Sequence, residues 1–136
     1  MEILRQKKII FAPVFAAVLL FSLNSVFLRL GFYYLLWWLD ALMHFSGGII
    51  AAAFFTVLFQ EDISRLRPQT ALIFIMGIAV MIGVFWEFFE WGMDRFFVAN
   101  FMGDLDDTLS DLLMDFLGGL LAGVVWLKNR GTKRHV

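Results

Sequence analysis

Four long apolar runs, at about residues 9–30, 39–59, 70–91 and 108–127, set the pattern of this chain. Each is near the roughly 20 residues that a helix needs to cross a bilayer. Short polar or aromatic stretches separate them. The pattern predicts an all-α integral membrane four-helix bundle, a single membrane domain over residues 1–136. A cytoplasmic tail is expected at 128–136, basic and flexible.

The polar positions refine this reading. In the first run Pro13 falls near the start, where a missing N–H is tolerated. Ser22, Asn24 and Ser25 are expected to bond to a neighbouring helix, and Asn24 is also placed to touch a site. Gly31 ends that helix. The segment 32–39, rich in Phe, Tyr and Trp, predicts a short interfacial aromatic element between the first two spans. The second run opens with Asp40, a residue favoured at a helix N-cap. His44 lies one turn deeper, followed by Gly47, Gly48, Ala51 and Ala52 on nearly the same face. A polar connector is expected at 60–69. In the third run Ala79, Gly83 and Glu87 recur every four residues, Glu90 follows three later, and Gly92 reads as a helix stop. Residues 93–106 read as a loop on the membrane surface. In the fourth run Asp107, Asp111 and Asp115 recur every four residues above Gly118, Gly119 and Ala122. Asp107 also fits as an N-cap, and residues 108–111 read as a variant capping box.

Composition supports the membrane reading. The chain is 61% hydrophobic with a mean hydropathy of +0.81, too apolar for a small soluble domain. The absence of Cys excludes a disulfide framework and thiolate chemistry. The N-terminal basic residues and apolar run resemble a signal peptide, but the run is long and lacks a small-residue cleavage site, so an uncleaved span is expected.

The net charge of −1 conceals an asymmetry. With four spans, both termini and the 60–69 connector share one side of the membrane. That side carries Arg5, Lys7, Lys8, Arg65, Arg67, Lys128, Arg130, Lys133 and Arg134, and the other only Arg29 and Arg95. By the positive-inside rule both termini are expected in the cytoplasm. Topology accounts for the basic tail, and nucleic-acid binding is not expected.

Orientation gives the acids their meaning. Asp40, His44, Glu87, Glu90, Asp107, Asp111 and Asp115 all fall toward the outer side. Asp111 is about 6 Å and Asp115 about 12 Å deeper than Asp107, at 1.5 Å per residue. Carboxylates facing lipid are costly, so they are expected to face each other. Clustered carboxylates must share protons, bind a cation or pair with a base. His44 is the only imidazole in the spans. One His with several carboxylates suits a divalent metal such as zinc, manganese or iron.

These residues also carry a resemblance. Asp40-x-x-x-His44-x-x-x-Gly48, Trp86-Glu87-x-x-Glu90 and Asp107-Thr108-x-x-Asp111-x-x-x-Asp115-x-x-Gly118 resemble the YjdF-like inner-membrane proteins of bacteria. They resemble more distantly the VanZ-like family, associated with resistance to glycopeptide antibiotics. This chain has Glu90 and Asp115 where the VanZ-like pattern has Gln and Asn. The resemblance implies a compact multi-span bundle of the bacterial inner membrane with a polar outer pocket.

The leading expectation is therefore an extracytoplasmic-facing pocket for a divalent cation or cationic group. The expected metal ligands are His44, Glu87, Glu90 and Asp111, with Asp40, Asp107 and Asp115 binding the ligand. Glu87 or His44 would be the catalytic base if the protein acts on a lipid or lipid-linked envelope substrate. The alternatives are a proton- or cation-coupled transporter, which would require a homo-oligomer, and a structural or accessory subunit.

Overall fold

A computed structural model of the chain describes residues 2–97 and 103–132. The described residues form six helices and no strand: α1 (Glu2–Leu30), α2 (Phe32–Leu35), α3 (Leu39–Leu58), α4 (Gln60–Arg65), α5 (Pro68–Phe97) and α6 (Leu105–Thr132). Four of them are long and apolar enough to cross a membrane. The fold is all-α, and α2 occupies the expected aromatic segment between the first two spans.

Helix ends differ from the sequence expectation in instructive ways. Gly31 does end α1, with a left-handed φ of 70° that glycine adopts without strain. Gly92 does not end α5, which continues to Phe97. A glycine inside a helix costs about 1 kcal/mol, and alone that does not stop it. The connector expected at 93–106 is thus largely helical in its first part, and its residues 98–102 lie outside the described residues. Pro13 sits well inside α1 rather than near its start. α6 continues to Thr132, so the start of the expected flexible tail is helical; residues 133–136 lie outside the described residues.

The capping expectations also change. Asp104 caps α6: its Oδ1 accepts the Asp107 N–H at 3.0 Å. Asp107 is therefore inside the first turn, and residues 108–111 are not a capping box. Asp40 likewise lies in the first turn of α3, whose N-cap is Trp38. The hydroxyls of Ser22 and Ser25 bond within α1, to the carbonyls of Val18 and Phe21, rather than to a neighbouring helix.

The helices α3, α5 and α6 pack against one another, and α1 lies chiefly against α3. The bundle is a three-helix core with a fourth helix on one flank. Its exterior is greasy: Phe11, Phe15, Ile73, Phe85 and Phe88 are exposed. Its interior joins the small residues Ala52, Ala71 and Ala79 to Ile75 of α5 and Ile63 of the connector helix α4, the largest fully buried side chains. This suits a lipid solvent, where helices associate through close packing rather than through a hydrophobic drive. Arg130 of α6 ties the end near α4 by donating to the carbonyls of Leu66 at 3.0 Å and Ser64 at 2.5 Å.

The closest approach in the core is between α3 and α6. A Cβ added at Gly48 would meet the Asp115 Cα at 2.9 Å, and one at Gly118 would meet the Ile49 N at 2.9 Å. Backbone cannot move aside as a side-chain tip can, so these glycines set the helix separation. Gly118→Ala is expected to destabilise the protein by about 1–3 kcal/mol through overpacking. Gly77→Ala, where nothing stands within 4 Å of an added Cβ, is expected to leave stability unchanged or raise it slightly. Thermal unfolding in detergent checks both.

Candidate functional site

At the end of the bundle where α3 and α6 begin and α5 ends, four carboxylates surround one imidazole. Asp40 and His44 come from successive turns of α3, Glu87 from two-thirds of the way along α5, and Asp111 and Asp115 from successive turns of α6. The i, i+4 spacing on α3 and α6 puts each pair on one helix face. The close α3–α6 approach then brings those faces together.

His44 is the centre. Its Nδ1 lies 3.1 Å from Asp115 Oδ2. Its Nε2 lies 3.9 Å from Asp40 Oδ1, 3.8 Å from Glu87 Oε1 and 3.9 Å from Asp111 Oδ2. His44, Glu87, Asp111 and Asp115 are buried and Asp40 is half-buried. Gly83 of α5 leaves room for the Asp115 side chain, because a Cβ there would meet Asp115 Cγ at 2.7 Å.

The two ring nitrogens therefore have different surroundings. Nδ1 is within hydrogen-bond distance of a carboxylate, which favours the tautomer with the proton on Nδ1. Nε2 then offers its lone pair toward three carboxylate oxygens, all beyond direct hydrogen-bond distance. Two ligands each about 2.0–2.2 Å from a shared ion stand at most about 4.4 Å apart. Separations of 3.8–3.9 Å fall within that reach. Donor atoms of Asp40, His44 and Asp111 all lie within 4.8 Å of one another. A carboxylate on the far nitrogen of a metal-binding His is the usual outer-shell arrangement.

Glu87 supplies an independent sign. It is only 7% exposed, and its Oε1 has no hydrogen-bond partner. The Thr108 hydroxyl lies beside its carboxyl. Orphaned buried acceptors are costly and uncommon.

Two residues expected at the site stand apart from the His44 contacts. Glu90 accepts a hydrogen bond from Trp86 Nε1 at 2.8 Å, within its own helix. Asp107 is half-buried in the first turn of α6, at the mouth. One residue at the site was not expected. Tyr33, read from sequence as membrane-interface anchoring, turns its hydroxyl toward Asn24 and donates a hydrogen bond to Asn24 Oδ1. Burial, and then the charges of Asp40, Glu90 and Asp111, push the Tyr33 phenol well above the usual tyrosine range. Only its place in an aromatic segment next to Asp40 hinted at this.

A model of a predicted membrane protein family, DUF2238, matches residues 2–132. The chain belongs to this family. An uncharacterized protein of Thermotoga maritima is 31% identical over 118 residues, 79% of this chain. This chain spans 61% of the length of that relative. No solved structure matches. The DUF2238 match supports the membrane-protein part of the sequence expectation, while the likeness to VanZ-like proteins rests on the short motifs alone.

Two outcomes follow from the geometry. Asp115→Ala leaves a buried imidazole nitrogen unpaired and is expected to cost about 1–3 kcal/mol, with Asp115→Asn milder because its amide oxygen still accepts; thermal unfolding in detergent measures both. The raised Tyr33 phenol means that the folded state resists forming phenolate. Its contribution to stability is present below the ordinary tyrosine value near 10 and is lost as pH rises through its higher folded value. An alkaline absorbance titration should show a late phenol step that Tyr33→Phe removes.

Proposed function

We propose that this protein binds a divalent cation in the His/carboxylate pocket, at the end of the bundle facing the cell exterior. The observation that carries this is the pair of environments around His44. Asp115 stands at Nδ1, and Asp40, Glu87 and Asp111 gather around Nε2 at spacings suited to a shared cation. The ligand set is His44, Asp40 and Asp111, with the unpartnered Oε1 of Glu87 completing it. Glu90 is removed from that set because Trp86 already engages it. Zinc, manganese and iron all suit one imidazole with several carboxylates. Charge supports the orientation: Arg65 and Arg130 lie at the opposite end of the bundle from His44. That end is the cytoplasmic one under the positive-inside rule, in a bacterial inner membrane with both termini inside.

Packing favours a binding site over a relay through the membrane. Beyond Asp115 the core closes with Gly48, Gly118, Ala52, Ala79 and Ile75. Thr56, buried in the same region, bonds to the Ala52 carbonyl of its own helix. A transporter needs a polar continuation there.

Elemental analysis of the detergent-purified protein is expected to find a stoichiometric transition metal that His44→Ala abolishes. Asp115→Asn is expected to weaken affinity about 10–100-fold, as loss of outer-shell partners does. A protein with no stoichiometric metal, and no thermal shift on adding zinc or manganese, would sink the metal reading.

A further inference from the structure

A cavity of about 640 Å³ runs between α1, α3 and α5. It exists because α1 packs chiefly on α3, leaving the α5 flank open. The two flanking helices touch across it where the Phe21 and Trp86 rings meet edge to face, with centroids 6.3 Å apart. One end of the cavity is polar, reaching Asp40, His44, Asp115 and Asn24; the other is apolar, ending at Pro13, Phe54 and Phe55. Most of the wall between is apolar, and Val14, Val18 and Phe21 on that wall are exposed, so it opens sideways toward lipid.

We infer that this groove holds one hydrocarbon chain of a membrane lipid whose headgroup carries a primary amine, with the amine at the carboxylate end. The inference rests on reading the cluster as a cation-seeking pocket. Length supports the chain: from His44 to Phe55 the groove follows α3 for eleven residues, about 16 Å at 1.5 Å per residue. That is close to one leaflet of a hydrocarbon core about 30 Å thick. Charge supports the headgroup. Asp40 and Asp115 line this end, with Glu87 and Asp111 beside them around His44, and among the described residues no Lys or Arg lines the groove. A divalent ion leaves an excess of carboxylate there, which an ammonium group complements and a purely anionic headgroup does not.

Native mass spectrometry of the detergent-purified protein tests this. Phosphatidylethanolamine and phosphatidylglycerol with identical chains are offered at equal concentration, and metal content is measured on the same preparations. The phosphatidylethanolamine adduct is expected to exceed the other about tenfold. Ala17→Phe, which fills the groove from the exposed side of α1, is expected to reduce it at least tenfold while leaving metal content unchanged. Val14→Trp on the same wall should do likewise, and Ala12→Phe, exposed but outside the groove, should not. Thermal unfolding confirms that each variant is folded. Equal adducts, a preference for phosphatidylglycerol, or adducts that survive both filling variants overturn the inference. So does a protein dimer that the filling variants dissociate, since that assigns the groove to a second copy. Selective, groove-dependent adducts on a metal-free protein would retain the lipid inference and reject only the metal.

Discussion

The structure depends on the contact between His44 of α3 and Asp115 of α6. Ionisable groups are expensive at membrane depth and persist there when they satisfy one another. A carboxylate at Nδ1 gives the buried imidazole one partner and fixes which nitrogen faces the remaining acids. The contact also joins the two helices that approach most closely.

That approach is made possible by what is missing. Gly48 faces the Asp115 backbone, Gly118 faces the backbone of Phe45 and Ile49, and Gly83 faces the Asp115 carboxylate. Small residues bring backbones together, and short distances let an aspartate on one helix reach a histidine on another. Large side chains are turned outward, as expected when the surrounding solvent is hydrocarbon. The same economy explains why α1 differs from the other spans. It has no buried residue in its membrane window, and it contributes no carboxylate to the cluster. Its looser placement leaves an apolar groove that ends at the polar centre.

The two functional readings share this architecture. A set of acceptors around Nε2 at 3.8–3.9 Å is too open for direct hydrogen bonds and compact enough to share a cation. A groove that follows α3 from His44 to Phe55 runs on from it. The cluster and the groove form one pocket, polar at one end and apolar along most of its length, on a scaffold of the DUF2238 family.

Much of this was legible in the chain itself. Run length and hydropathy determine the four spans, because crossing lipid requires about 20 apolar residues with their backbone bonds satisfied internally. The i, i+4 spacing of Asp40 with His44, and of Asp111 with Asp115, determines that each pair shares a face, because the helical period is local. Helix ends were less legible. Gly92 carried a weak local preference that the continuing helix overrides, and Asp104 rather than Asp107 caps α6. Tertiary structure alone decided the rest: which nitrogen of His44 meets Asp115, that Glu90 turns to Trp86 while Glu87 turns its Oε1 toward His44, that Tyr33 folds back onto Asn24, and that α1 stands off to leave a groove. These depend on rotation and separation between helices, which arise from packing among distant segments and leave no periodic mark in the sequence.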